Sequence, residues 1–163
     1  LLKENCERLR ITSVRPLLMD ARELWRAYAR KADRVLVDAP CSGTGVLRRR
    51  PDARWKREPR DLVELQKLQL DILRSAARCL KPGGILVYST CSAEPEEDED
   101  VIRNFIRENP GFRETDVYAH LPKAFREAFP KRLCLGREGV GLRLFPHIHG
   151  TDGFFISRLQ LQG

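Results

Sequence analysis

Short extended apolar runs alternate along this chain with stretches of helical periodicity. Residues 1–9 keep helical spacing and read as the end of a helix. Residues 14–19 are an apolar run closed by Asp20, which predicts a buried strand. Residues 21–31 predict a helix with Leu24, Trp25 and Tyr28 on one face. Val35-Leu36-Val37 predicts a strand that ends at Asp38 and turns at Pro40. Residues 39–59, rich in Gly, Pro and Arg, predict a long loop. The clearest helix spans 61–80: Leu62, Leu65, Leu68, Gln69, Ile72, Leu73, Ala76 and Leu80 share its repeat. Lys81-Pro82-Gly83-Gly84 stops it. A strand at 85–88, a helix at 97–108 and three late strands near 112–117, 142–145 and 154–159 complete the pattern.

Alternation of this kind predicts a Rossmann-like α/β fold, a parallel sheet with helices on both faces. Ligands in such folds sit beyond the carboxyl ends of the strands. Three chemically interesting spots fall there: Asp20, residues 38–41 and residues 89–92. The chain opens inside a helix, and no glycine-rich turn precedes Asp20. The 163 residues therefore read as the C-terminal portion of one domain, with the rest of the sheet expected upstream.

Composition narrows the class. No apolar run approaches the roughly 20 residues that span a membrane, and no secretory leader is visible. The five cysteines are odd in number, widely spaced and free of any Cys-x-x-Cys pair. That argues against zinc and against a disulfide framework. They read as reduced thiols of a cytoplasmic protein. His147 and His149 near Asp152 are read as loop residues, so no metal site is expected.

Net charge is +7, which favours an anionic partner. Arg48, Arg49, Arg50, Arg54, Lys56 and Arg57 crowd one segment opposed only by Asp52 and Glu58. A solvated loop explains such a run equally well. Its place directly behind a candidate site favours contact with nucleic-acid phosphates. Trp55 in its midst is suited either to stacking on RNA or to packing under the loop.

Asp38-Ala39-Pro40-Cys41-Ser42-Gly43-Thr44-Gly45 joins an acid and a thiol at one strand end. Ser89-Thr90-Cys91-Ser92 puts a second thiol at the next. Neighbouring strands would bring both to one crevice. A thiolate there attacks electron-poor carbon, a carboxyl group hydrogen-bonds a ring nitrogen, and a second thiol assists proton removal. Either cysteine alone reads more naturally as a small buried residue; the pair with a carboxylate is informative.

These two motifs resemble the NOL1/NOP2/Sun family of RNA 5-methylcytosine methyltransferases. Arg50-Pro51-Asp52, Trp55, Leu80-Lys81-Pro82-Gly83-Gly84, Pro95-Glu96-Glu97 and Asp152-Gly153-Phe154-Phe155 fit its pattern as well. The resemblance implies S-adenosylmethionine as cofactor and RNA, ribosomal RNA above all, as substrate. It makes Cys91 the nucleophile at cytosine carbon 6, and Asp38 the group that stabilises the adduct at ring nitrogen 3. It gives Cys41 a part in product release. Asp20, Asp38 and Pro40 fall at cofactor-binding positions, Asp20 toward the adenosine. Asp20 also suits a helix N-cap before Ala21. Two features depart from the family: Asp98 stands where it usually has Asn, and the glycine-rich cofactor loop is absent. Two other readings stay open. One is a catalytically silent RNA-binding fragment. The other is a DNA cytosine methyltransferase with its nucleophile at Cys41 after Pro40, against which the second cysteine motif argues.

Overall fold

The computed structural model describes residues 1–55 and 58–163. Its helices are α1 (Leu2–Arg8), α2 (Leu24–Tyr28), α3 (Pro59–Cys79), α4 (Glu99–Glu108), α5 (Lys123–Ala128) and α6 (Pro146–His149). Its strands are β1 (Ala32–Asp38), β2 (Leu80–Thr90), β3 (Phe112–Thr115), β4 (Leu142–Leu144) and β5 (Phe154–Leu161).

The strands form one open sheet in the order β1-β2-β5-β3, with β4 also paired to β5. β1 and β2 run parallel, as the alternation predicts. β5 is antiparallel to β2, β3 and β4, so the sheet is mixed. β3 therefore runs the same way as β2, reached through α4. β5 fills the gap between them from the opposite direction. Hydrophobic alternation reports which residues face inward, not which way a strand enters, so this reversal carried no sequence signal.

Pleating divides the sheet into two faces. Leu86, Tyr88, Phe155 and Leu159 line one face and are fully buried, in one core with Leu73 and Ala76 of α3 and with Val101, Ile102 and Phe105 of α4. The opposite face carries Arg34, Ile85, Val87, Ile156 and Arg158. Val117, His120 and Leu121 stand over it and leave a cavity of about 370 Å³. Leu36 on that face is 68% exposed, so helical cover is complete on one face and partial on the other.

α3 begins where its sequence directs. Pro59 occupies the first turn, and the Asp61 carboxylate accepts from the Glu58 amide at 3.0 Å. The helix ends at Cys79 and β2 follows at once, with Gly83 taking a positive φ of 76° where the pairing with β1 shifts register.

Two expectations need correction. Residues 14–19 form no strand; Leu17 and Leu18 are exposed. An apolar run is buried as a strand only beside another, and among the described residues none pairs with the edge of β1 opposite β2. The helix expected over 21–31 is a 3₁₀ turn, Ala21–Glu23, followed by α2, which stops at Tyr28. There the amides of Arg30 and Lys31 turn to the carbonyls of Arg78 and Cys79 at 3.1 and 2.9 Å. The chain trades its own helical bonds for the unpaired carbonyls at the end of α3.

Candidate active site

Parallel pairing sets Asp38 opposite Ser89 at the carboxyl ends of β1 and β2. The Ser89 hydroxyl donates to Asp38 Oδ1 at 3.0 Å. Both cysteine loops leave from this edge and stay together. The Ala39 amide donates to the Ser89 carbonyl at 2.9 Å, and the Gly45 amide to the Cys91 carbonyl at 2.9 Å. The sulfurs of Cys41 and Cys91 lie 3.3 Å apart, each half-buried. Burial, the hydrogen bond to Cys91 and the charge of Cys91 push the Cys41 thiol up to about 12. Either sulfur has the geometry to donate.

The Cys41 loop also rests on Gly153, the residue that leads into β5. Gly153 donates its amide to the Gly45 carbonyl at 2.8 Å. A side chain at Gly45 would meet the Gly153 backbone and come within 2.8 Å of the Cys91 carbonyl. Only glycine permits three backbones to meet here.

Beneath the thiols lies a polar cluster that the sequence motifs did not assign. Glu97 is fully buried. Its carboxylate accepts from the Ser42 amide at 2.9 Å, the Gln69 side-chain amide at 3.0 Å and the Ser92 hydroxyl at 2.6 Å, and also from the Ser42 hydroxyl. Gln69 donates as well to the Pro40 carbonyl at 2.9 Å. The sequence signals were Gln69, a polar residue within an otherwise apolar helical stripe, and Pro95-Glu96-Glu97, which fits the family pattern but carried no role.

Arg143 of β4 anchors the other side of the Cys91 loop. It donates to the Ala93 carbonyl at 2.9 Å, holds Glu99 through two bonds at 2.7 and 2.6 Å, and reaches Asp98 at 2.9 Å. Thr90 donates to Asp98 at 2.5 Å and accepts from the Ser92 amide at 3.2 Å. Burial outweighs these attractions and pushes Asp98 from 3.8 up to about 8, because Arg143 divides its charge with Glu99. Between those two values the native protein keeps a proton on Asp98 that the unfolded chain has released. Asp98 therefore costs no stability below the lower value and a growing amount as pH rises to the upper one. Asp98→Asn should flatten this decline, read as urea unfolding at pH 5 and pH 8. Parallel declines in the two proteins would contradict it.

The remaining predicted residues are distributed as follows. Asp20 caps the 3₁₀ turn, accepting from the Arg22 amide at 2.9 Å. Its hydrogen bonds to the Arg22 side chain lower it to about 2. It borders a groove with Asp71, Arg74, Ser75 and Arg78 of α3, none of them in the cysteine loops. Pro40 is exposed on the Cys41 loop. Arg48 and Arg49 both pair with Asp152, at 2.6 and 3.0 Å. Arg50 and Arg54 are exposed; Arg54 stands 5.5 Å from the Trp55 ring, which is itself 83% exposed rather than packed under the loop. Lys56 and Arg57 lie outside the described residues. His149 is buried against Cys134, Nε2 to Sγ 3.4 Å. Among the described residues no three His, Cys, Asp or Glu side chains stand together as metal ligands would.

The chain was compared with known proteins. Residues 1–160 match the family model "16S rRNA methyltransferase RsmB/F". The chain is 41% identical over its whole length to "Probable ribosomal RNA small subunit methyltransferase B" of Bacillus subtilis, spanning 35% of that protein. It is 38% identical over 97% of its length to ribosomal RNA small subunit methyltransferase B of Yersinia pseudotuberculosis, spanning 33% of it. Among solved structures, NSun6 from Pyrococcus horikoshii with SFG matches at 31% identity and a TM-score of 0.81, over 99% of this chain and 38% of that one. A methyltransferase homologue from the same organism matches at 32% and 0.72, over 98% and 48%. The chain thus spans about a third of the length of these curated relatives, and it belongs to the 16S rRNA methyltransferase RsmB/F family.

Proposed function

We propose that this chain is the catalytic portion of an enzyme that methylates carbon 5 of a cytosine in ribosomal RNA, with S-adenosylmethionine as methyl donor. The contact of 3.3 Å between the Cys41 and Cys91 sulfurs carries the reading. A single nucleophile needs no second thiol; a covalent route that must both form and break a bond to the base uses one thiol for each half. The family match and the rRNA methyltransferase relatives support the substrate class. The neighbour with SFG, an analogue of S-adenosylmethionine, supports the cofactor.

The Cys91 sulfur adds to carbon 6 of an extruded cytosine, and carbon 5 gains the electron density needed to accept a methyl group. Asp38, with one oxygen held by Ser89, hydrogen-bonds ring nitrogen 3 and stabilises the adduct. After methylation the carbon 5 proton is removed with the help of Cys41, and the bond from Cys91 to carbon 6 breaks. The cofactor supplies an electrophilic methyl group. Exposed carboxylates at strand and helix ends fit its cationic, hydroxyl-rich structure; Asp38, Pro40 and Asp20 would hold it. Arg48, Arg49, Arg50 and Arg54, with Lys56 and Arg57, would meet RNA phosphates, Asp152 yielding the first two to the ligand. The five free cysteines fit a reducing, cytoplasmic setting, and among the described residues no helix is long and apolar enough to cross a membrane.

The test is methyl transfer from labelled S-adenosylmethionine to small-subunit ribosomal RNA by the full-length protein. Label recovered in 5-methylcytidine after digestion is the expected result. Binding of RNA without label transfer would favour a silent RNA-binding protein instead.

A further inference from the structure

We infer that Glu97 is a positioning residue that fixes the distance between the two thiols. The inference rests on the proposed reaction for its function, though not for its geometry. Ser42 follows Cys41 and Ser92 follows Cys91 in the chain. Both place their hydroxyls on the same carboxylate oxygen of Glu97, the Ser92 bond measuring 2.6 Å. The other oxygen takes the Ser42 amide at 2.9 Å and the Gln69 amide at 3.0 Å. One carboxylate thus ties together the residues next to each cysteine and anchors both to α3. The cross-linked hydroxyls also touch each other at 3.3 Å. Each hydroxyl is committed further: Ser92 accepts from the Glu94 amide at 3.0 Å, and Thr44, 3.4 Å from Ser42, accepts from the Ala93 amide at 2.9 Å.

Every partner of Glu97 here is a donor. An acceptor-only group satisfies them all, and an amide of the same shape does not. Glu97→Gln turns an NH₂ toward hydroxyl or amide donors inside a buried cluster, where an unmatched pair forces the groups apart. The first parts to move are the two loops, because Glu97 gives Ser42 and Ser92 their shortest shared link, while their direct contact of 3.3 Å and the bridge through Thr44 at 3.4 Å to each are longer. The carboxylate of Glu97 is taken up by Ser42, Ser92 and Gln69, so it acts through the serines and does no chemistry itself.

Two readouts test this in the full-length protein. The first is steady-state methyl transfer: Glu97→Gln should lower kcat by about 10- to 100-fold with KM for RNA within about twofold. The second needs no methyl transfer. A diazene oxidant takes one hydrogen from each of two touching thiols, forming a Cys41–Cys91 disulfide and a hydrazine. The wild-type protein should form this bond readily, mapped on peptides, and Glu97→Gln should form it about tenfold more slowly. A variant that matches wild type in both readouts overturns the inference. If the disulfide slows but wild type transfers no methyl group, the positioning role stands and the proposed reaction falls. If Glu97→Gln does not fold, Ser92→Ala decides by the same two readouts, since it cuts the arm to the Cys91 loop and leaves three donors on Glu97. Slower disulfide formation supports the role; an unchanged rate and kcat overturn it.

Discussion

Cys91→Ala should lower methyl transfer by about 10⁴-fold or more, the scale seen when a covalent nucleophile is removed. RNA binding should persist, because the basic segment 48–54 and the Asp38–Ser89 contact are untouched. Cys41→Ala should behave differently. It leaves the Cys91 nucleophile in place but removes the neighbouring thiol 3.3 Å away. Addition to the base should go forward and release should stall, so that protein joined to RNA accumulates on a denaturing gel. The two variants are nearly identical in size and burial, which makes the contrast informative. Equal losses with no accumulated adduct in Cys41→Ala would assign both cysteines the same role and contradict the division between attack and release. The reverse pattern would make Cys41 the nucleophile.

Arg143→Ala should destabilise the protein by about 3–5 kcal/mol, because it strands the Glu99 carboxylate in the interior. Arg143 neutralises Glu99 through two hydrogen bonds and stands 2.9 Å from Asp98, and both acids are fully buried. It also holds the Ala93 carbonyl, two residues from Cys91. Loss of stability and loss of activity should therefore go together, but for separable reasons. Lowering pH from 8 to about 5 should recover part of the stability, since across that range the native protein holds a proton on Asp98 that the unfolded chain does not. Chemical unfolding at two pH values measures both effects. A loss below about 1 kcal/mol, as for an exposed ion pair, would contradict the reading.

Much of this was legible in the sequence because the chemistry sits where local rules are strongest. The apolar run of β2 and the loop-forming Pro40 placed both thiols at strand ends, and parallel pairing brought them into contact. The helical repeat from Leu62 onward defined α3 to within two residues of its start, though Pro59 was counted in the preceding loop. What stayed hidden depends on partners distant in the chain. Glu97 reads as one acid among several in Pro95-Glu96-Glu97-Asp98-Glu99, and only folding separates three buried ones from the exposed Glu96. Arg143 looks like any charged residue near a late strand until β4 carries it to Glu99, 44 positions away. Residues 14–19 have the composition of a strand but no neighbour among the described residues to pair with. The arginines at 48 and 49 read as contacts for nucleic-acid phosphates, and Asp152, in the loop that leads into β5, pairs with both.

The most direct test is to incubate the full-length protein and S-adenosylmethionine with ribosomal RNA in which the target cytosine is 5-fluorocytosine. Fluorine at carbon 5 leaves no proton for removal, so an adduct formed through carbon 6 cannot be released. The account predicts a stable protein–RNA complex whose cross-linked peptide contains Cys91. A complex joined through Cys41, or methyl transfer with no covalent complex at all, would contradict it.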